Sequence, residues 1–181
     1  MLSLFLDRDG VINERIVDGY VTRPEDFRLL DGVLEAMAIF AQRFDRIFMV
    51  TNQQGIGKGL MSVGDLDLIH ASFLKALESV GARMDKIYFC PALKSEHSFM
   101  RKPSIGMALQ ARREYGVSLR HSIMVGDTAT DMMFGRRAGM RTVLVGDEPE
   151  VAANSPYLVD YYYKDLYSYA LNIDSSINSI S

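Results

Sequence analysis

Short apolar runs recur along this chain, and most stop abruptly at small polar or acidic residues. Leu2-Ser3-Leu4-Phe5-Leu6 ends at Asp7-Arg8-Asp9-Gly10, and Ile47-Phe48-Met49-Val50 ends at Thr51-Asn52-Gln53. Ile87-Tyr88-Phe89-Cys90 is closed by Pro91, Ser122-Ile123-Met124-Val125 runs into Gly126-Asp127, and Thr142 to Val145 forms a fifth run. Unbroken runs this short predict buried strands. Between them, apolar residues take helical spacing. Val33, Leu34, Met37, Ile39 and Phe40 stripe a helix over 33–43, with Asp31 as its expected N-cap. Ser62-Val63-Gly64-Asp65 has the form of a capping box and opens a helix to about Val80, with Gly81 as its stop. Further helices are expected from Pro103 to Tyr115 and from the Asp127 turn to Ala138. Leu158 to Tyr163 predicts a sixth strand, and Asp165 to Leu171 a closing helix.

Strand and helix in alternation predict an α/β fold, a doubly wound parallel sheet. We expect one domain over 1–174 and a frayed tail over 175–181. The polar stretch from Glu14 to Leu30 is too long for a simple connector. It reads either as a flap over the end of the sheet or as a passive surface hairpin.

Composition narrows the function classes. The 181 residues are 48% hydrophobic and 24% charged, with a net charge of −3, as expected of a soluble globular protein. That balance disfavours a general nucleic-acid or anionic-membrane binder. No apolar run approaches the ~20 residues that span a bilayer, and the start has neither a basic segment nor a long apolar one, so no signal peptide is expected. A single cysteine, Cys90, leaves no internal disulfide and suits a reducing, cytoplasmic setting.

The chemistry gathers at the strand ends. Ligands of open parallel sheets bind just beyond the carboxyl ends of the strands. Asp7 and Asp9 fall at such an end and share a side if the backbone stays extended. Two acids so close repel, and a divalent cation relieves the repulsion. Gly10 permits a sharp turn. The second run ends in Thr51 and Asn52 and then Gly55, Gly57 and Gly59, the composition of a phosphate cradle. Arg101-Lys102 precedes Pro103 and so sits at an expected helix entrance, where the backbone favours an anion. Asp127 closes the fourth run, and Asp131 lies one helical turn beyond. His70 reads as a partly exposed helix residue rather than a ligand. Four strand ends bearing polar groups at one edge of a sheet argue for a site.

These four motifs, in order, resemble those of the haloacid dehalogenase (HAD) superfamily of phosphohydrolases. Asp7-Arg8-Asp9-Gly10-Val11-Ile12-Asn13, Gly19-Tyr20-Val21, Thr51-Asn52-Gln53 and Arg101-Lys102-Pro103 resemble its group of D-glycero-D-manno-heptose 1,7-bisphosphate and histidinol-phosphate phosphatases, and Gly106-Met107 leans toward the former. The resemblance implies catalysis by Asp7 as nucleophile and Asp9 as general acid and base. It implies Mg²⁺ held by the Asp7 carboxylate, the Asp9 main-chain carbonyl and Asp127. Thr51, Asn52 and Lys102 would hold the phosphoryl group, while Arg101, Gln53, Asp18, Gly19 and Tyr20 would face the rest of a small phosphorylated metabolite. No nucleic-acid or membrane partner is implied, and a monomer is expected. The stretch between Asn52 and Lys102 is too short for a large cap domain.

Two departures stand out. The group usually carries a zinc loop of Cys-x-His and Cys-x-Cys. Here Cys90 remains, but Ala92, Ser98 and Met100 replace the other ligands, so no structural zinc is expected. The residue after the fourth-motif Asp, often Lys, is Thr128. A histidinol-phosphate phosphatase and a non-catalytic phosphate-binding protein stand as the alternatives to a heptose-bisphosphate enzyme.

Overall fold

The computed structural model describes residues 1–147 and 149–180. Six strands pair in parallel throughout: β1 (Ser3–Leu6), β2 (Arg46–Asn52), β3 (Lys86–Cys90), β4 (Ser122–Gly126), β5 (Arg141–Val145) and β6 (Tyr161–Tyr163). Their spatial order is β3-β2-β1-β4-β5-β6. The helices are α1 (Val33–Arg43), α2 (Gln54–Gly57), α3 (Val63–Ser79), α4 (Gly106–Tyr115), α5 (Ala129–Ala138), α6 (Glu150–Asn154), α7 (Leu166–Leu171) and α8 (Asp174–Ile177).

Successive strand side chains point to opposite faces, and both faces are covered. Leu4, Leu6, Ile47, Met49, Ile123 and Val125 form one core with Met37 and Phe40 of α1 and Tyr169 of α7. Phe5, Phe48, Val50 and Met124 form the other with Met107 and Ala111 of α4 and Phe134 of α5. This double burial is why the strands read as unbroken apolar runs. Between β2 and β3 the chain forms only α2 and α3, so no large cap stands there. From β1 the chain builds β2 and β3 on one side, then crosses to build β4 to β6 on the other. The order therefore reverses between β1 and β4, and their carboxyl ends flank the crevice such sheets use for ligands.

Several local expectations are corrected. Asp31 does not cap α1: the residue before the helix is Gly32, in the left-handed conformation at φ 75°, with no side-chain cap. α4 starts at Gly106 rather than at Pro103, so Arg101 and Lys102 reach the site from a loop and not from a helix entrance. β6 is shorter than expected: before it, Asp160 meets Thr142 of β5 with its N–H on Thr142 O at 3.1 Å and its carboxylate, rather than its carbonyl, accepting from Thr142 N at 2.9 Å. The tail expected to fray is packed. Ser176 is fully buried with its hydroxyl 3.0 Å from that of Tyr169, and Arg141 donates to Ser179 O at 2.6 Å. Ser181 lies outside the described residues. The capping box of α3 forms as expected, with Ser62 Oγ accepting from Asp65 N at 3.1 Å and Ser62 N donating to Asp65 at 2.8 Å.

The 14–30 segment is neither wholly flap nor wholly passive. Its base is clamped by Glu14 N to Arg28 O at 2.8 Å and Leu30 N to Ile12 O at 3.0 Å, while residues 15–21 line a cavity at the carboxyl edge of the sheet.

Candidate active site

Asp7 follows β1 directly and is held there by a hydrogen bond from its N–H to Val125 O of β4, at 3.0 Å. Its carboxylate faces Lys102, whose Nζ donates to Asp7 Oδ1 and to Asp131 Oδ1, both at 2.6 Å. All three side chains are buried. Lys102 is brought there by Asn52 at the end of β2. Asn52 Oδ1 accepts from Lys102 N at 3.0 Å, and Asn52 Nδ2 donates to Lys102 O at 3.2 Å. Two strands and one loop thus fix a single ammonium between two acids. Burial lowers the Lys102 pKa in itself, but Asp131 and Asp7 outweigh it and hold the ammonium charged.

Asp9 is arranged differently. Its Oδ1 accepts from Arg8 Nη2 at 2.7 Å and from Asn13 Nδ2 at 3.0 Å, and its Oδ2 accepts from Gln53 Nε2 at 2.9 Å. Arg8 is fully buried and lies over the Phe27 ring, 5.8 Å from its centroid. Burial pushes the Asp9 carboxyl up, but Arg8 and the donated hydrogen bonds hold it below the usual range. Asp7 moves the other way, pushed up to about 7 by burial and then by the negative Asp131, with Lys102 opposing.

Gln53 also donates to Thr51 Oγ1 at 2.8 Å, so Thr51, Gln53 and Asp9 form one chain of contacts. The glycines after it serve packing as much as any cradle. Gln54 to Gly57 make one helical turn, and a Cβ on Gly57 would stand 2.6 Å from Pro91 O.

Asp127 follows β4. The nearest carboxylate oxygens of Asp7, Asp127 and Asp131 lie within 4.8 Å of one another. Burial pushes Asp127 up to about 6, with Asp131 adding to the rise and Arg15 opposing it. Arg15 Nη2 donates to both Asp127 oxygens, at 2.9 and 2.8 Å, and to the Asp9 carbonyl at 2.7 Å. Asp131 closes the capping box of α5, accepting from Thr128 N at 3.1 Å and Thr128 Oγ1 at 2.5 Å.

A cavity of about 890 Å³ opens over these groups. Asp7, Asp9, Thr51, Asn52, Gln53, Lys102, Arg101, Asp18, Gly19 and Tyr20 all line it; Asp127 does not, but its carboxylate joins those of Asp7 and Asp131 and pairs with Arg15. Arg101 is anchored by a hydrogen bond to Ala92 O at 3.1 Å, and Tyr20 by one from Gln54 Nε2 at 2.7 Å. Sequence reasoning missed Arg8, Arg15, Lys58 and Lys94, which also line the cavity. Of these only Arg8, inside the first motif, carried a local signal. His70 is corrected as well: it is buried, with Nε2 unpartnered, and burial pushes its pKa down to about 4.

A parallel sheet with a buried carboxylate–lysine–carboxylate array at its switch point, and a second acid two residues after the first, defines a hydrolase core of the HAD type. A family model described as HAD-hydrolase-like matches residues 99–168. A D-glycero-alpha-D-manno-heptose-1,7-bisphosphate 7-phosphatase of Campylobacter jejuni is 39% identical over 146 residues, covering 81% of this chain and 83% of its own. A D-glycero-beta-D-manno-heptose-1,7-bisphosphate 7-phosphatase of Helicobacter pylori is 35% identical over 144 residues, covering 79% and 82%. The crystal structure of the D,D-heptose 1,7-bisphosphate phosphatase of B. bronchiseptica with magnesium and phosphate superposes with a TM-score of 0.88 at 32% identity, covering 97% of this chain and 99% of that one. The chain belongs to the HAD superfamily, within its heptose-bisphosphate phosphatase group.

Proposed function

We propose that this protein is a Mg²⁺-dependent phosphomonoesterase that hydrolyses D-glycero-D-manno-heptose 1,7-bisphosphate through an aspartyl-phosphate. The observation that carries the reading is the buried Asp7–Lys102–Asp131 array at the switch point, with Lys102 Nζ 2.6 Å from each acid. A carboxylate in that position is fixed and shielded, and its charged neighbour can spread over a phosphoryl group in the transition state. Asp7 attacks phosphorus, dividing one hard step into two. Asp9, two residues on, delivers a proton to the leaving alcohol and later takes one from water. The Thr51 hydroxyl, the Asn52 N–H and Lys102 hold phosphoryl oxygens.

The donor set around Asp7 is hard oxygen: two carboxylates and the Asp9 carbonyl. That set suits Mg²⁺, which prefers oxygen ligands. Asp7, Asp127 and Asp9 O would hold the ion, which supplies charge neutralisation on the nucleophile and the phosphoryl oxygens.

The lining supports a bisphosphate. Lys58, Lys94 and Arg101 line the cavity, and Asp18 is the one acid lining it away from the motif residues, among the described residues. A second phosphate finds partners there, whereas the ammonium of histidinol phosphate finds little. Side-by-side kinetics at saturating Mg²⁺ test this. We expect kcat/KM on the heptose bisphosphate to exceed that on histidinol phosphate at least about tenfold, or ~1.4 kcal/mol, with Asp7→Asn inactive on both. Equal or reversed rates would sink the sugar assignment.

A further inference from the structure

Arg15 is a cation at this site that no motif accounts for, and it is bound to the acids themselves. Its side chain is 48% exposed, yet the tip turns inward. One nitrogen, Nη2, meets three oxygens of two residues: Asp9 O at 2.7 Å and Asp127 Oδ1 and Oδ2 at 2.9 and 2.8 Å. These are the oxygens that the reading above gives to the divalent ion. The missing side chain of Gly10 leaves the space they share. A Cβ there would stand 2.0 Å from Asp127 Oδ2 and 3.2 Å from Arg15 Nη2.

We propose that Arg15 is an internal cation that competes with the divalent ion for the Asp9 carbonyl and the Asp127 carboxylate, so that ion binding displaces its guanidinium into the cavity. The proposal rests on the metal reading above and extends it to a residue outside the motifs.

Charge accounts for its presence. Asp7, Asp127 and Asp131 crowd within 4.8 Å, and Lys102 directs its contacts to Asp7 and Asp131. Asp127 is left to Arg15, which completes the pairing of the three acids. Sterics and electrostatics account for exclusion. Mg²⁺ sits about 2.0–2.1 Å from its oxygens. An ion at that distance from Asp9 O, and a guanidinium nitrogen 2.7 Å from the same atom, would be like charges in near contact. The exit is open, because Arg15 borders the cavity and its side chain is half in solvent. Once displaced, the guanidinium joins Lys58 and Arg101 in facing the substrate.

Calorimetric titration of Mg²⁺ into metal-free protein tests the proposal on wild type, Arg15→Gln, Arg15→Lys and Asp127→Asn, with circular dichroism to check folding. Arg15→Gln should bind Mg²⁺ about tenfold more tightly, ~1.4 kcal/mol. It should also melt below wild type without metal and show a larger Mg²⁺-induced rise in Tm. Arg15→Lys should fall between the two in affinity, and it carries the test if the glutamine variant does not fold. Unchanged or weakened Mg²⁺ binding in both Arg15 variants, with binding lost in Asp127→Asn, would overturn the competition while leaving the metal site standing. Undiminished binding in Asp127→Asn would overturn the metal reading itself, and the proposal with it.

Discussion

Asp131 is the acid whose place in the site the structure makes testable, since both its oxygens are engaged. One accepts from Lys102 at 2.6 Å, and the other holds Thr128 N and Oγ1 at the start of α5. Replacing it with alanine removes a capping box, worth ~1 kcal/mol, and a charge-assisted bond to a buried lysine, worth about 1.5–3 kcal/mol. Against that, Asp131 raises the pKa of both Asp7 and Asp127, so its removal relieves repulsion. The balance is a loss of about 2 kcal/mol, or roughly 4–8 °C in Tm for a chain of this size. Urea unfolding of the metal-free protein at pH 7 measures it. A cycle with Lys102→Met isolates the shared bond and should show a coupling of at least about 1 kcal/mol, whereas additivity within about 0.5 kcal/mol would refute the reasoning. Asp131→Asn, which keeps a capping oxygen, should lose less stability than alanine and leave Mg²⁺ affinity far closer to wild type than Asp127→Asn does. A Mg²⁺ loss equal to that of Asp127→Asn would make Asp131 a ligand instead.

Two shorter predictions follow. With Cys90 alone left of the zinc loop and His97 the one other soft donor nearby in sequence, elemental analysis of purified protein should find far less than one zinc per chain, and stoichiometric zinc that survives dialysis would contradict this. His70 is held neutral in the folded chain, its pKa pushed down to about 4, while the unfolded chain protonates it near 6.5. Its contribution is therefore complete above pH 6.5 and is lost as pH falls toward 4, by about 3 kcal/mol at most. Unfolding free energies of His70→Leu should decline less over that window than those of wild type, and parallel curves would rule the histidine out as the cause.

Much of this was legible in the chain because the site is built from strand ends. A buried parallel strand shows as an apolar run, and the residue that ends it shows what stands at the sheet edge. Asp7, Thr51 and Asp127 were found that way. The structural place of Asp131 was also within reach, since Thr128-x-x-Asp131 has the form of a capping box. So was the burial of His70, which continues the Leu66, Phe73 and Leu77 face of α3. Arg15 was not: its partner Asp127 lies 112 positions away, and no period or spacing links them. The tail was misread because its anchors are single contacts. Ser176 to Tyr169 and Ser179 to Arg141 tie down a segment whose composition alone reads as polar and loose.

The opposed environments of Asp7 and Asp9 carry a last consequence. Without a metal, Asp7 is pushed up to about 7 and Asp127 to about 6, so near neutrality both carboxylates are partly protonated. A divalent ion binds carboxylates, not carboxylic acids, and binding must expel those protons. Mg²⁺ affinity should therefore rise as pH climbs from about 5.5 to 7.5 and level off above that, as the two groups ionise. Asp9 has no part in this dependence, because Arg8, Asn13 and Gln53 already hold it ionised. Its service as an acid instead requires an approaching phosphate dianion, whose charge raises its proton affinity. Calorimetry at several pH values, repeated in buffers of different ionisation enthalpy, reads both the affinity and the protons released. An affinity flat across that range, with no proton release near pH 6.5, would show that the carboxylates are already ionised, and that burial does not set the charge of the nucleophile.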